Sequence, residues 1–200
     1  MAMNFILAAM AGAFILFFSY LRLLWKRLIL VYKLNKLSKE KNYTLEWFSN
    51  PFLSVFHSLQ GFDFALRGER TYYVTLFSTR HRLREHFFAS PTELYVSRKF
   101  RLFRAAGGRV ISRINEVPID LGTKLISIDL TEKAPEGAET VLLFYPVARD
   151  VLGVDGTKKI YLGNGDTVFG DYRLYTLSAF LEGVGGSGLY RRKKKIWHYD

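Results

Sequence analysis

The feature that most limits the fold of this chain is an uncharged, apolar run near its beginning, Phe5 to Leu21 (FILAAMAGAFILFFSYL). A helix over this run is about 25 Å long, close to the ~30 Å thickness of the hydrocarbon core of a bilayer. The run is apolar on all sides, which argues against a buried helix of a water-soluble fold. The sequence therefore predicts a transmembrane anchor over residues 1–25, with Tyr20 and Trp25 at the membrane–water interface.

The placement of positive charge favours an uncleaved anchor over a secretory signal and sets its orientation. A signal peptide carries positive charge before its apolar run. Here no Lys or Arg precedes the run, and the basic residues that follow it are Arg22, Lys26, Arg27, Lys33 and Lys36. Because Lys and Arg resist translocation, we expect the N-terminus outside and residues 26–200 in the cytoplasm. The expected location is the plasma membrane of a prokaryotic cell, crossed once.

Beyond the anchor, helical spacing gives way to strand-like alternation. Residues 26–41 predict an amphipathic helical stem that ends at Asn42, with its apolar stripe at positions 21, 24, 25, 28, 31, 32, 34 and 37. Residues 42–182 predict a soluble domain of eight to ten short strands, and residues 183–200 predict a Gly-rich hinge and a basic tail. The expected fold class is α+β: a transmembrane helix, an amphipathic stem and a mostly antiparallel, β-rich domain.

Turn residues place several of these strands. Arg67-Gly68-Glu69-Arg70 predicts a hairpin between strands over 62–66 and 71–78, and Asp155-Gly156 predicts another between 151–154 and 158–162. The apolar run at 140–147 predicts a buried strand. The remaining strands are expected at 43–48, 93–103, 124–130 and 172–176, and a helical turn at 177–182.

The residue inventory excludes several kinds of site. The chain has no cysteine, so disulfides, thiolate zinc sites and cysteine nucleophiles are excluded. Its four histidines form no H-E-x-x-H pattern, and no P-loop is present. Gly183 to Gly188 matches G-x-G-x-x-G, but the dinucleotide fingerprint needs a following helix and a later acidic residue, whereas a basic tail follows here. We therefore predict neither a cofactor nor a metal.

The stretch of about 45 residues around Asp63 resembles the core of the restriction-endonuclease-like nuclease fold. A helix and a strand precede Phe62-Asp63, and about ten residues separate this pair from the strand Tyr72–Phe77. The resemblance implies a catalytic Asp63, with Glu46 as an upstream helper and Mg²⁺ held by carboxylate oxygens. The family's acidic-x-Lys triplet corresponds to Tyr73-Val74-Thr75, which has neither the acid nor the Lys. The resemblance therefore implies a diverged domain without metal-dependent cleavage.

Basic residues form the other candidate site. The formal net charge is +11, and basic and aromatic residues alternate between Arg80 and Arg113. This pattern fits contact with anionic lipid headgroups, stacking on single-stranded nucleic acid, or a strand pair with one solvated basic face. The candidate contact residues for lipid or a partner are Arg80, Arg82, Arg84, Arg98, Lys99, Arg101, Arg104, Arg191, Arg192, Lys193, Lys194 and Lys195.

Taken together, these patterns favour a membrane-tethered, cytoplasmic binding domain without enzymatic activity. Its expected partners are the membrane that it spans and anionic lipid headgroups or a membrane protein, whereas nucleic acid is not favoured. The alternative is the diverged nuclease-like domain that uses Asp63. The sequence leaves the oligomeric state open.

Overall fold

The computed structural model describes residues 2–52, 61–78, 85–96, 110–113, 124–145, 150–155 and 158–185. In chain order the elements are α1 (Ala2–Lys41), β1 (Thr44–Trp47), β2 (Phe64–Arg67), β3 (Thr71–Phe77), β4 (Glu85–Ser90), β5 (Glu93–Val96), β6 (Val110–Arg113), β7 (Lys124–Ser127), β8 (Glu139–Phe144), β9 (Asp150–Asp155), β10 (Lys158–Tyr161), β11 (Thr167–Val168), β12 (Tyr172–Thr176) and α2 (Leu177–Gly185). The α+β fold class is confirmed.

The strands form two six-stranded sheets. The first has the order β1-β2-β3-β8-β12-β11 and the second β6-β10-β9-β4-β5-β7. Both are mixed, because β8 pairs in parallel with β3 and β12, and β4 pairs in parallel with β9. A parallel pair needs a long crossover, and here the crossover between β3 and β8 contains the strands β4 to β7. The chain therefore alternates between the two sheets.

The first sheet is the middle layer of three. Side chains of β3 and β8 on one face, such as Val74 and Val141, pack with α1 and α2 in one apolar cluster. Side chains on the other face, such as Phe77 and Phe144, pack against the second sheet in another. Because β8 is buried on both faces, its sequence reads as a continuous apolar run, and the predicted buried strand is confirmed.

The helix α1 ends where the sequence predicts. Asn42 has φ of 54°, the left-handed conformation that Asn tolerates better than most residues. The Tyr43 N–H donates to the Ser38 carbonyl at 3.0 Å, which is the longer hydrogen bond of a Schellman cap. This turn directs the chain into β1.

The predicted apolar stripe of the stem is right at Leu34 and Leu37 and wrong before them. The buried side chains of α1 among the described residues are Leu23, Arg27, Leu30, Leu34 and Leu37. The exposed apolar side chains of α1 are Phe14, Phe17, Phe18, Leu21, Trp25, Leu28 and Tyr32. Both rows have helical spacing, so spacing alone could not tell which of them faces the domain.

The apolar run Phe5–Leu21 of the predicted anchor lies within α1. No helix within the part of the chain whose side chains are described combines the length and apolar character needed to cross a membrane. In the run Phe5–Leu21, the described side chains are Phe14, Phe17, Phe18, Tyr20 and Leu21.

Both predicted hairpins are confirmed: β2 pairs with β3, and β9 pairs with β10, each in antiparallel register. The strands β4, β6 and β11 were not predicted. The helix α2 continues to Gly185, three residues past the expected turn, and Val184 in this extension is buried.

Candidate functional site

The carboxylate of Asp63 lies directly before β2, at the end of the sheet where β3 finishes. It accepts a hydrogen bond from the Leu76 N–H at 2.6 Å and another from the Ser49 hydroxyl at 2.9 Å. The Asp63 backbone joins the same network, because its N–H donates to the Val74 carbonyl and its carbonyl accepts from the Phe48 N–H. Asp63 thus ties the segment after β1 to the end of β3.

The second acid of the nuclease resemblance, Glu46, has a different partner. It lies on β1 and forms an ion pair with Arg67 of β2 at 2.8 Å, with both side chains about half exposed. Thr75, at the third triplet position, is fully buried and donates to the Gly61 carbonyl at 3.0 Å. Within the described ranges, no three His, Asp or Glu side chains are grouped so that they could hold a metal ion.

A buried cation lies in the same region. Arg27 projects from α1 and is 2% exposed, and none of its three guanidinium nitrogens has a hydrogen-bond partner among the described residues. Burial lowers the pKa of Arg27 from its ordinary value to about 10, and the nearby Asp63 carboxylate opposes this shift. Nothing in the sequence signals this burial, since Arg27 is one more positive charge after the apolar run.

A solvent-open cleft lies at the opposite end of the first sheet, where β3 and β8 begin. Its cavity volume is about 50 Å³, and α2 forms one wall. Glu139, the first residue of β8, lies 3.6 Å from Arg70 through one carboxylate oxygen and 3.6 Å from Arg173 through the other. The two arginine side chains are about half exposed, and that of Glu139 is 29% exposed.

The aromatic walls of this cleft are held by packing. The ring of Tyr72 meets that of Phe180 edge to face at a centroid distance of 5.6 Å, and Tyr175 lies 6.3 Å from Phe180. Burial raises the pKa of the Tyr72 hydroxyl above its usual value of 10.0, and the Glu139 charge adds to this shift. The cleft therefore has fixed aromatic walls and a rim of two cations that share one anion.

Sequence reasoning missed this cleft, because its charged residues are far apart in the chain. Arg70 belongs to the turn before β3, Glu139 begins β8, and Arg173 lies on β12. Only the parallel pairing of β8 with both neighbouring strands makes them adjacent. The one available signal is that each lies within one residue of the start of a strand.

The predicted contact residues for lipid or a partner all lie outside the described residues. This holds for the seven candidates between Arg80 and Arg104 and for the five in the tail from Arg191 to Lys195. Of the four histidines, His86 is described. It is fully buried on β4 and meets the ring of Phe77 edge to face at 5.5 Å.

Comparisons with known proteins give no family for this chain. No protein-family model, no curated protein and no solved structure matches it.

Proposed function

We propose that this chain is a membrane-tethered binding domain, in which the first half of α1 enters the bilayer and the β-rich domain lies on the cytoplasmic side. The observation that carries the proposal is the exposure of Phe14, Phe17 and Phe18, which are 65%, 58% and 62% exposed. They precede Leu23, the first described α1 side chain that is buried. Removing such a side chain from water stabilises a protein by about 1.5–3 kcal/mol, so the bilayer is a favourable environment for this end of α1.

The charges along α1 support the cytoplasmic orientation. The run Phe5–Leu21 carries no charge, whereas Arg22 and Lys26 follow it within two turns. Arg22 is exposed and can extend its guanidinium to lipid phosphates while its stem stays against the apolar region. The excess of Lys and Arg on one side then keeps the domain in the cytoplasm.

Alkaline carbonate extraction of membranes tests the anchor. We expect the full chain to stay in the membrane pellet and the double variant Phe17→Lys/Phe18→Lys to move to the supernatant. Tyr32→Lys is the matched control, because Tyr32 is an equally exposed aromatic residue of α1 beyond the proposed anchor. Wild-type chain in the carbonate supernatant would refute the tether.

The absence of cysteine allows a clean test of orientation. Single cysteines introduced as Ala2→Cys and His198→Cys can be labelled on intact cells with a membrane-impermeant maleimide. We expect Ala2→Cys to be labelled on intact cells, and His198→Cys to be labelled only after the membrane is permeabilised. Labelling of His198→Cys on intact cells would reverse the proposed orientation.

Anionic lipid remains the proposed contact of the basic tail Arg191–Lys195. Each Lys or Arg near an anionic surface adds about 1 kcal/mol of attraction. In lipid nanodiscs, a dye on His198→Cys should transfer energy to a lipid acceptor more efficiently with anionic than with neutral lipid. Changing the five basic residues to Gln should abolish the difference, and equal transfer in both lipids would count against the contact.

We propose the cleft between Arg70 and Arg173 as the binding site of the domain, for an oxyanion such as a phosphate or carboxylate group. At 3.6 Å the Glu139 oxygens are beyond hydrogen-bond distance, so the guanidinium donors are not saturated by Glu139. Two guanidiniums that converge on one point suit the bidentate recognition of phosphate or carboxylate. The cavity of about 50 Å³ has room for such a group, while the rest of the ligand would extend into solvent.

Calorimetric titration of the detergent-solubilised full chain with inorganic phosphate, against chloride at equal ionic strength, tests this site. We expect Arg70→Gln and Arg173→Gln each to weaken phosphate binding at least tenfold, and Glu139→Gln to strengthen it. Arg67→Gln is the control, since Arg67 is equally exposed but pairs with Glu46 outside the cleft. Phosphate affinity that is the same in all of these variants would refute the site.

The alternative, a diverged nuclease-like domain, keeps one supporting observation. Asp63 directly precedes β2 in a helix–strand–hairpin arrangement of α1, β1, β2 and β3, as the resemblance implies. The test is nucleic-acid binding and cleavage by wild type and Asp63→Ala, with Asp129→Ala at an exposed site as control. Binding or residual cleavage that is lost only in Asp63→Ala would favour this alternative over the binding domain, and an Asp63→Ala variant that behaves like wild type in both assays would refute it.

A further inference from the structure

Between Leu21 and Leu34, the helix α1 carries mainly apolar residues on two opposite faces. Leu23, Arg27, Leu30 and Leu34 face the domain, whereas Leu21, Trp25, Leu28 and Tyr32 are 44%, 62%, 50% and 67% exposed. Each exposed residue is two positions before its buried counterpart, a rotation of about 200° around the helix. A helix that only covers a sheet would have a polar outer face. We therefore expect the outer face of α1 to contact another apolar surface.

The exposed residues follow a strict heptad. Phe14, Phe18, Leu21, Trp25, Leu28 and Tyr32 are spaced alternately by four and three residues. This spacing, with a mean of 3.5 residues, is that of the seam of a two-helix coiled coil. We define these six residues as the seam of α1.

A bilayer covers only part of the seam. If the membrane-spanning segment ends at Leu21, Leu28 lies about 10 Å and Tyr32 about 16 Å beyond it along the helix. The headgroup region on each side of the hydrocarbon core is only about 5–8 Å thick. Lipid can therefore accommodate Phe14 to Trp25, but Leu28 and Tyr32 need a protein surface.

We infer that the seam binds the seam of a second copy of this chain, forming a parallel dimer of α1 helices. The parallel, in-register arrangement rests on the proposed membrane tether, because two copies anchored in one bilayer with the same orientation bring equal heights of α1 together. Two seams would bury on the order of 1,200 Å² in total, which reaches the size of specific interfaces.

The charges on α1 are compatible with this dimer. Taking Phe14, Leu21 and Leu28 as the d positions places Lys26 and Lys33 at b positions, away from the contact. The flanking g positions are Phe17, Leu24 and Val31, so Arg22 and Lys36 at e positions face apolar residues and not like charges of the second copy. Nothing in this arrangement brings two cations together across the seam.

Single-cysteine crosslinking in native membranes tests the dimer, and the chain has no cysteine of its own. Leu28→Cys lies in the seam, and equivalent Cα atoms of a parallel dimer are there within disulfide reach. Lys33→Cys, exposed on the same helix but off the seam, is the matched control. With a copper–phenanthroline oxidant we expect a dimer band for Leu28→Cys at least tenfold stronger than for Lys33→Cys.

A second measurement addresses the uncrosslinked chain. We expect single-molecule photobleaching in nanodiscs to show two steps for wild type and one for Leu28→Glu/Tyr32→Glu. Equal crosslinking at both cysteines, a crosslink from Leu28→Cys to a different polypeptide, or a monomeric wild type would each overturn the inference. A monomer that still resists carbonate extraction would overturn the dimer alone and leave the tether intact.

Discussion

The carboxylate of Asp63 favours the charged form of the Arg27 guanidinium by electrostatic attraction, without a hydrogen bond between the two side chains. It raises the pKa of Arg27, whereas burial lowers it by more, so that the net pKa is about 10. The carboxylate itself accepts hydrogen bonds from Leu76 and Ser49. The pair therefore combines a well-bonded anion with a buried cation whose guanidinium nitrogens lack hydrogen bonds to the described residues.

Replacing Arg27 by Met should stabilise the domain. In the folded state burial holds the pKa of Arg27 at about 10, below its unfolded value, so the penalty of burying the charge is fully present below pH 10 and is relieved only as pH rises above about 10. At pH 7 we expect Arg27→Met to raise the free energy of unfolding by about 1–3 kcal/mol, because an apolar side chain of similar length needs no partner. Thermal unfolding in detergent micelles, followed by circular dichroism, measures the change.

Lys33→Met is the control for Arg27→Met, because Lys33 is exposed on the same helix and its replacement should change stability by less than about 0.5 kcal/mol. Destabilisation by Arg27→Met would contradict the prediction. It would indicate that the guanidinium has an anionic partner beyond the described residues.

Replacing Asp63 by Asn should destabilise the domain by about 1.5–3 kcal/mol, the usual contribution of hydrogen bonds to a charged group. Ser49→Ala, which removes the hydroxyl donor to Asp63, should lower the free energy of unfolding by less. The loss in the free energy of unfolding from Asp63→Asn should be smaller in the Arg27→Met background, because the Asp63 charge then has no buried cation to stabilise. A double-mutant cycle measures this coupling, and strict additivity would mean that the two charges do not interact.

The sequence predicted local features of this fold because local chemistry decides them. Asn42 ends α1 because its side chain tolerates a left-handed backbone. The sequence Asp155-Gly156 is typical of tight turns, and it therefore predicts the antiparallel pairing of β9 with β10. Each of these predictions needs only neighbouring residues.

The missed features depend on contacts between distant residues. Phe87 and Phe88 of β4 follow a basic segment, and their pattern fits a lipid contact, a nucleic-acid contact or a strand pair with one solvated face. Both are buried, and Phe88 packs against Phe77 and Phe144 of the first sheet, which the sequence around β4 cannot reveal. In the sequence, Arg27 resembles a membrane-flanking charge. Its burial depends on the packing of α1 on the sheet, which neighbouring residues do not reveal. The cleft likewise requires the pairing of β8 with β3 and β12, which alternation within one strand cannot reveal.

Replacing Asn164 by Ala should disrupt the start of α2. Asn164 is buried, and its side-chain amide oxygen Oδ1 accepts a hydrogen bond from the Thr176 N–H at 2.6 Å. The Thr176 hydroxyl in turn caps α2 by accepting from the Ala179 N–H at 3.4 Å. Asn164→Ala leaves the buried Thr176 N–H without an acceptor, so we expect a loss of about 1–3 kcal/mol in the free energy of unfolding.

The exposed Thr167→Ala on β11 is the control for Asn164→Ala and should be nearly neutral. Hydrogen exchange adds a local measurement. The amide protons of Thr176 and Ala179 should exchange faster in Asn164→Ala than in wild type. Unchanged protection at both amides would contradict the role given to Asn164.

Replacing Tyr172 by Phe should change how stability depends on pH. Tyr172 is 1% exposed and its hydroxyl donates to the Glu132 carbonyl at 3.0 Å. Burial raises the pKa of Tyr172 from 10.0 to about 12, so its hydroxyl contributes stability that is fully present below pH 10 and is lost as pH rises through 12.

At pH 7, Tyr172→Phe should lower the free energy of unfolding by about 1 kcal/mol through the lost hydrogen bond. Between pH 10 and 12 wild type should lose stability faster than Tyr172→Phe, so that the difference between their unfolding temperatures narrows. If the two unfolding temperatures fell in parallel over this range, the Tyr172 hydroxyl would not hold its proton more tightly in the folded chain than in the unfolded one.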